Sequence, residues 1–239
     1  MKYLDLTLPD PAGNLACDEA LIELLENTEA AEGLLRTWES KSHFVVLGHS
    51  NKLNLEVDSV ACEMQQVAIS RRLSGGGTVV QGPGCLNYTL VLRSGVDAPA
   101  TIGESFRFVL EKHKRCIEAM TGARVAIAGT SDLTIDGKKI SGNAQYRKRR
   151  FALLHGTFLL DLNLEIVDRC LLHPPNQPEY RKNRAHRDFI ANLQLRSADV
   201  CKTLMETWRA SDRFLDVPTS RIAELVRSRY GCAEWTAKF

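Results

Sequence analysis

The sequence has no long apolar run and almost no net charge. Its 239 residues include 31 Lys and Arg against 29 Asp and Glu, a formal net charge of +2 at pH 7. This near balance argues against nucleic acid as the main partner. Without an apolar stretch of about twenty residues, no membrane-spanning helix is predicted. Residues 1–11 contain two aspartates and no apolar core, so no signal peptide is predicted there.

Close cysteine pairs are also lacking. The seven cysteines show no Cys-x-x-Cys spacing, and the six histidines have no metal-binding spacing, so no zinc site is predicted. All the cysteines except Cys85, which is discussed below, are interpreted as scattered free thiols. Free thiols and the missing signal peptide together predict a reducing, cytoplasmic location.

The composition is that of an ordinary globular domain, with 44% hydrophobic and 25% charged residues. Residues 1–239 are predicted to form a single domain, in which about 162–239 is a mainly helical C-terminal part. Strand hairpins alternate with helical segments along the chain. This mixture predicts an α+β fold in which mixed and antiparallel sheets pack against helices.

Two helices have clear boundary signals. Asn14 is predicted to cap a first helix that extends to about Glu26. Thr101 and Glu104 form a capping box at the start of a long helix, and Gly122 ends that helix.

The first motif is a pair of arginines followed by three glycines, since residues 71–78 read Arg-Arg-Leu-Ser-Gly-Gly-Gly-Thr. A guanidinium group presents a planar fork of donors that suits carboxylates and phosphates. Consecutive glycines allow close approach of the backbone to a ligand, and their N–H groups can form an anion-binding nest. By itself the motif is equally compatible with an ordinary glycine-rich hairpin.

The second motif lies in residues 130–161 and combines a hairpin with a lysine pair. Asp136-Gly137 is a strong hairpin signal, and the return strand begins with Lys138-Lys139. Because strand side chains alternate, one of these lysines should face the site interior. The following Ser-Gly-Asn-Ala keeps small side chains beside it, as close approach of a ligand requires. The alternative is a solvated hairpin with two surface lysines.

Together these motifs resemble the lipoate-protein ligase family, within the wider biotin and lipoate ligase superfamily. The family pattern is Arg-Arg-x-Ser-Gly-Gly-Gly-(Ala/Thr)-Val, then Gly-Lys-Lys-(Ile/Val)-Ser-Gly-x-Ala, then His-Gly-Thr-Leu-Leu. Residues 71–79, 137–144 and 155–159 correspond to these three segments. The resemblance extends from about residue 14 to residue 161, and the motifs occur in the expected order.

The resemblance implies a two-step reaction with ATP and Mg²⁺. ATP and lipoate, or octanoate, give an acyl-adenylate and pyrophosphate, and the acyl group then moves to a lysine on a carrier (lipoyl) domain. Lys139 matches the essential lysine of the family. ATP or adenylate binding is implied for Arg72, Gly75, Gly76, Gly77, Thr78, Val79, Val80, Asp132 and Lys139. Lipoate binding is implied for Arg71, Ser74, Gly142, Ala144 and His155, and the resemblance places Mg²⁺ at Asp132.

The chain also departs from the family pattern. Gln81-Gly82 stands where many ligases have His-Asp, and the histidine before Gly-Thr is single. Two-domain ligases carry a small accessory domain, which the residues after Asp161 do not obviously supply. The chain is therefore expected either to need a separate accessory protein or to transfer an already activated acyl group.

Two other functions are compatible with the resemblance. Octanoyltransferases of this fold accept the acyl group from acyl-carrier protein on a cysteine thiolate. Cys85 follows the glycine loop (residues 75–77), where Lys139 could lower the pKa of the Cys85 thiol. Interpretation of Cys85 as a buried bystander is favoured. One transferase group places its cysteine before the lysine strand, and residues 125–132 contain none. A non-catalytic lipoyl-adenylate-binding protein is the third candidate, against which the intact Lys139 argues.

Two basic segments have less specific interpretations. The four cations of residues 147–150 are interpreted as a solvated turn, with docking of an acidic carrier domain as the alternative. Residues 176–192 are interpreted as a surface loop rather than as a mobile loop that closes over the adenylate.

Overall fold

A computed structural model describes residues 1–29 and 32–239. The strands are β1 (Lys2–Asp5), β2 (Leu34–Trp38), β3 (Phe44–Leu47), β4 (Ala68–Arg71), β5 (Val79–Gln81), β6 (Cys85–Arg93), β7 (Val125–Ala128), β8 (Asp132–Ile135), β9 (Lys138–Arg147), β10 (Phe151–Leu159) and β11 (Asp212–Arg213). The helices are α1 (Pro11–Asn27), α2 (Leu53–Glu56), α3 (Ser59–Met64), α4 (Ile102–Thr121), α5 (Leu164–Cys170), α6 (His186–Phe189), α7 (Ser197–Trp208), α8 (Thr219–Leu225) and α9 (Ala233–Thr236). A 3₁₀ turn covers Glu179–Arg181, and a π-helical turn at Val226–Tyr230 continues α8.

The strands form a large mixed sheet and a small one. The large sheet has the order β11-β1-β2-β6-β10-β9-β8-β7, and the small sheet has the order β4-β3-β5. In the large sheet β1 runs parallel to β2 and β11, while the remaining pairs are antiparallel. The predicted α+β fold with mixed and antiparallel sheets packed with helices is confirmed.

The large sheet is covered by helices on both faces. Neighbouring residues of one strand enter opposite clusters: Leu34 packs with α1 and α8, whereas Leu35 packs with α4 and α7. Leu153 and Leu154 alternate in the same way. This explains why β6 and β10 are buried almost throughout, since a central strand covered on both faces has no solvent-exposed side. A third cluster lies between the small sheet, α3 and α5.

The helix caps confirm one sequence prediction and correct another. Thr101 caps α4 by accepting a hydrogen bond from the Glu104 N–H, and Gly122 ends the helix at φ 69°. Asn14, however, is not the cap of α1. Asp10 caps that helix by accepting from the Gly13 N–H at 2.7 Å, and a proline follows at the first helical position. Asn14 lies one turn further on, with its buried amide bonded to main-chain groups of residues 8 and 10.

The predicted hairpin between β8 and β9 is confirmed. Asp136 and Gly137 both have positive φ, at 50° and 72°, as a two-residue turn of the I′ type requires. In the resulting register Asp132 pairs with Gly142, and Thr134 pairs with Lys139 across an irregularity in the ladder. This register brings Lys139 beside Asp132.

Candidate functional site

A cavity of about 340 Å³ lies between the glycine loop, β9, β10 and the segment after α5. It collects most of the residues predicted for the site, although they are distant in sequence. Its lining includes Arg72, Gly76, Gly77, Thr78, Val79, Val80, Asp132, Lys139, Gly142, Ala144 and His155. Of the other predicted residues, Arg71, Ser74 and Gly75 are outside this lining.

Lys139 provides the cationic centre of the cavity. Its Nζ lies 2.8 Å from Asp132 Oδ1, and its side chain is 21% exposed. Lys138 is exposed, as alternation along a strand requires. Tyr180 donates its hydroxyl hydrogen to the other oxygen of Asp132 at 2.7 Å. Burial, followed by the negative charge of Asp132, raises the pKa of Tyr180, so this hydroxyl remains a donor.

Gly142 leaves the space that the Lys139 side chain occupies. A Cβ atom at position 142 would lie only 2.6 Å from both Cε and Nζ of Lys139. Any larger residue must therefore displace the amine. The small residues that follow the lysines in sequence are explained by this contact within the chain, in addition to the space they leave for a ligand.

Arg72 organises the glycine loop as well as lining the cavity. Its Nη2 donates to the carbonyls of Gly75 at 2.7 Å and Gly77 at 2.9 Å, and its Nε donates to Ser74 Oγ at 3.1 Å. Burial lowers the pKa of Arg72 to about 10, which leaves the guanidinium charged at neutral pH. The cation is thus held at the cavity wall by the loop that it supports.

Glu56 anchors the far end of the glycine loop and was missed by sequence reasoning. One of its oxygens accepts hydrogen bonds from Thr78 Oγ1 and Asn51 Nδ2, each at 2.6 Å. Glu56 also lines the cavity. Since it ends a four-residue helix outside every recognised motif, nothing local in the sequence marks it.

The structure does not support lipoate binding by Arg71. Arg71 is fully buried and points away from the cavity. Its guanidinium donates to the carbonyls of Gly48 and Asn51 at 2.8 Å and of Thr236 at 2.7 Å. Trp235 returns a hydrogen bond from its indole N–H to the Arg71 carbonyl. The first arginine of the motif therefore ties the C-terminal helix to the loop after β3.

Ser74 and His155 belong to a buried polar cluster at the cavity wall, and Asp18 and His155 of this cluster line the cavity. His155 lines the cavity, with Nε2 2.6 Å from Ser74 Oγ and Nδ1 3.1 Å from Asp18 Oδ2. Ser74 is only 1% exposed, so direct contact between its hydroxyl and lipoate, as predicted, is not supported. His155 thus lines the cavity and at the same time holds Ser74 and Asp18 in place through both ring nitrogens.

Asp18 is the second residue that sequence reasoning missed. It is buried in α1 and forms an ion pair with Arg36 at 2.6 Å. Burial alone would raise its pKa, but the hydrogen bond from His155 and the charge of Arg36 outweigh that effect and lower it. The sequence signal that could have identified Asp18 was an acidic residue among the apolar positions of a buried helix.

The structure contradicts the hypothesis that Cys85 is a reactive thiolate near Lys139. Cys85 is fully buried and packs with Val45, Val80 and Leu162. Burial raises the pKa of its thiol to about 12, which is opposite to the lowering that activation requires. All seven cysteines lie in the described part of the chain, and none of them lines the cavity.

The two basic segments differ in their outcome. Arg147 bonds to Ser94 and Ser105, Lys148 pairs with Glu23, and Arg150 contacts residues 26 and 28, so this turn is held by intramolecular contacts. Residues 176–192 are mostly exposed or half-buried, as the surface-loop interpretation expects, but that interpretation missed their contact with the cavity. Several of its residues line the cavity, namely Asn176, Pro178, Arg181, His186, Phe189 and Ile190.

Asp132 is the residue to which sequence reasoning assigned Mg²⁺. Among residues 1–29 and 32–239, no group of three or more His, Cys, Asp or Glu side chains could hold a metal ion by itself. A single carboxylate does suit Mg²⁺, because this ion commonly takes one or two carboxylates and fills its shell with substrate phosphates and water. The donor set around Asp132 therefore fits a metal that arrives with a nucleotide.

Within residues 1–29 and 32–239, no helix is long and apolar enough to cross a membrane.

Sequence comparison relates the chain to both ligases and acyltransferases. A family model described as the lipoyl protein ligase A/B catalytic domain matches residues 10–207. Lipoate-protein ligase LplJ of Bacillus subtilis is 27% identical over 196 residues, which cover 81% of this chain and 56% of LplJ. Octanoyltransferase LipM of an Exiguobacterium species is 27% identical over 204 residues, covering 76% of this chain and 73% of LipM. The chain thus spans little more than half the length of the ligase.

Solved structures share the fold over the whole chain. The bi-partite lipoate protein ligase of Thermoplasma acidophilum superposes with a TM-score of 0.85 at 23% identity, covering 100% of this chain and 96% of that chain. A lipoate-protein ligase A bound with ATP gives a TM-score of 0.83 at 22% identity, covering 99% of each chain. At such identities these similarities establish the fold.

Proposed function

The chain belongs to the lipoyl protein ligase A/B catalytic-domain family, and on that premise we propose that it is an ATP-dependent lipoate-protein ligase. It would activate lipoate as lipoyl-AMP and transfer the lipoyl group to a lysine of a carrier domain. The observation that carries this proposal is the Lys139 amine, which lies in one cavity with Arg72 and the glycine loop. Two anions, a carboxylate and a triphosphate, can meet there beside two cations.

The cysteines support a ligase over a cysteine-dependent transferase. No cysteine lines the cavity, and Cys85 is buried with a raised pKa. The transferase remains the second candidate because octanoyltransferases are among the relatives. It would move an octanoyl or lipoyl group from acyl-carrier protein and would need a route other than Cys85. A non-catalytic lipoyl-adenylate-binding protein would not require the Lys139 amine.

In the first step an oxygen of the lipoate carboxylate attacks the α-phosphorus of ATP. The bond from that phosphorus to the β-phosphate bridging oxygen breaks, and pyrophosphate leaves with the bonding electrons. Lys139 reduces the repulsion between carboxylate and α-phosphate and stabilises the charge that develops on the phosphoryl oxygens. Arg72 and the loop N–H groups hold the triphosphate in line, so that positioning supplies much of the catalysis.

The ion pair of Lys139 with Asp132 does not prevent this role. When substrate anions draw the amine away, Asp132 retains the hydrogen bond from Tyr180, so the carboxylate is not left without a donor. Asp132, together with the phosphates, would hold Mg²⁺. The bound ion would neutralise charge on the triphosphate and the leaving pyrophosphate.

In the second step the acceptor lysine, as a free amine, attacks the acyl carbonyl, and AMP leaves as an amide bond forms. The lipoyl chain would lie along the β9 and β10 wall of the cavity, beside Gly142, Ala144 and His155. Leu15 and Trp38 also line the cavity and offer apolar surface suited to the dithiolane end.

The carrier and an accessory protein are the proposed partners. The Thermoplasma neighbour is described as a bi-partite ligase with an E2 lipoyl domain. The present chain covers 96% of that neighbour's chain, and we extend the same division of labour to it. A cytoplasmic location remains the prediction from sequence.

The test is pyrophosphate release on mixing the purified chain with ATP, Mg²⁺ and lipoate, with octanoate in parallel and mass spectrometry to detect lipoyl-AMP. Lys139→Ala should lower the rate by about 10²-fold to 10³-fold, the usual loss when one transition-state donor is removed. Lys138→Ala is the matched control, since the neighbouring lysine is exposed. Normal turnover of Lys139→Ala would refute the assignment.

If the unmodified chain releases no pyrophosphate, there are two explanations, and a second assay separates them. Release on addition of an accessory protein would support a divided ligase. Transfer from octanoyl-acyl-carrier protein without ATP would instead establish the transferase.

A further inference from the structure

We propose that Asp18, His155 and Ser74 form a positioning chain that orients the Arg72 guanidinium toward the triphosphate. The inference deepens the proposed function, because it rests on ATP as the ligand of Arg72. None of the three side chains is required to touch the nucleotide. They connect the buried helix α1 to the glycine loop through consecutive hydrogen bonds of 3.1, 2.6 and 3.1 Å.

With a neutral imidazole at His155, the hydrogen-bond chain has one consistent direction. The Asp18 carboxylate can only accept, so Nδ1 of His155 carries a hydrogen and donates it to Oδ2. In the neutral imidazole Nε2 is then an acceptor, and the Ser74 hydroxyl donates to it. With its hydrogen committed, Ser74 Oγ presents a lone pair to Nε–H of Arg72. Each bond therefore fixes the donor or acceptor role in the next one.

The Asp18 end of the hydrogen-bond chain is held rigidly. Asp18 Oδ1 accepts from Arg36 Nη1 at 2.6 Å and from Thr89 Oγ1 at 2.8 Å, so the carboxylate cannot rotate freely. Arg36 also donates to carbonyls of residues 6 and 14 and is itself fully buried. The chain thus starts from a buried ion pair of the core rather than from another loop.

The Ser74 end of the hydrogen-bond chain bonds to Arg72, the residue whose guanidinium must be oriented. Arg72 Nη2 is committed to the loop carbonyls of Gly75 and Gly77, while Nη1 has one long contact, 3.4 Å, to the carbonyl of Val46. The bond from Nε to Ser74 fixes rotation of the guanidinium plane about its side chain. Without it, Nη1 is expected to lose its fixed direction at the cavity wall.

The experiment measures ATP binding by calorimetry in Mg²⁺ buffer, without lipoate and without turnover. Ser74→Ala removes the link but leaves the Asp18–Arg36 pair intact, and it should weaken ATP binding about tenfold. In an Arg72→Gln background the same change should have less than about a twofold effect, because a chain that acts through Arg72 has nothing left to orient. Ser105→Ala is the matched control. Ser105 lies in α4, is buried, donates its hydroxyl hydrogen to the carbonyls of residues 99 and 101, and is outside the cavity lining.

Equal loss in the two backgrounds, or no loss in either, would overturn the proposal. Circular dichroism verifies that each variant folds, and the ¹⁵N shifts of the His155 ring give a readout that does not depend on binding. They should place the hydrogen on Nδ1 in the unmodified chain; a hydrogen on Nε2 would contradict the stated direction. ATP binding with no pyrophosphate release, even after addition of an accessory protein, would refute the ligase while leaving the hydrogen-bond chain supported, and absence of ATP binding would overturn both.

Discussion

Gly142→Ala is expected to slow adenylation about 100-fold without unfolding the chain. A Cβ at this position would lie 2.6 Å from Cε and Nζ of Lys139, whereas ordinary contact begins at 3.4 Å. The amine must therefore move by roughly 1 Å, and a misplacement of that size costs on the order of 100-fold in rate. Gly142 has no positive φ, so alanine adds no backbone strain. The clashing atoms are the flexible end of a lysine, which can shift at little cost in stability.

The assay is pyrophosphate release under saturating ATP and lipoate, with thermal unfolding measured in parallel. The melting temperature should fall by no more than about 4 °C, which corresponds to roughly 1 kcal/mol for a chain of this size. Gly103→Ala is the matched control, because a Cβ there meets nothing within 4 Å. In a Lys139→Ala background, Gly142→Ala should cause no further loss, since the displaced group is already absent. Retention of the normal rate in the single variant, or a full further loss in the double variant, would refute the reasoning.

Two further predictions concern buried groups. Cys85→Ala should retain acyl transfer to the carrier within about twofold, because the thiol is buried outside the cavity; a loss of 100-fold or more would restore the cysteine mechanism. Burial lowers the pKa of His113 to about 3, while its Nε2 accepts a hydrogen bond from Trp208. As the pH falls, His113 is protonated in the unfolded chain before it is protonated in the folded chain. The free energy of unfolding therefore decreases as the pH falls below about 6.5. Between about pH 7.5 and 5.5 the unmodified chain should lose about 1.4 kcal/mol more unfolding free energy than His113→Gln, measured by denaturant titration; parallel losses would contradict the lowered pKa.

Much of the site was predictable because its motifs are local. The glycine loop follows Arg72 in sequence, the Asp136-Gly137 turn fixes the hairpin, and alternation along β9 separates Lys139 from Lys138. Each of these inferences depends on backbone geometry over fewer than about ten residues, where sequence and structure are directly related. The α4 boundaries were predicted correctly for the same reason.

Apart from the cap of α1, the predictions that the structure does not support concern residues whose partners are far along the chain. Arg71 and Arg72 are adjacent, yet one donates to the C-terminal helix and the other to the glycine loop. Cys85, by contrast, was interpreted correctly as a buried bystander, and it packs in a core with residues 45 and 162. Residues 176–192 look like solvated loop from charge alone, although the packing of the segment after α5 places several of them on the cavity.

The sequence by itself determined the family, the α+β class and the chemistry of the cavity wall, because residue types and short spacings specify turns, strand faces and anion-binding groups. Only the tertiary structure decided which member of the arginine pair reaches the cavity, that Cys85 is buried, and that Asp18 lies behind His155. These outcomes follow from strand register and helix docking, which join residues more than a hundred positions apart, such as Asp18 and His155. No local pattern records such a contact, since it exists only after the helices have packed on the sheet.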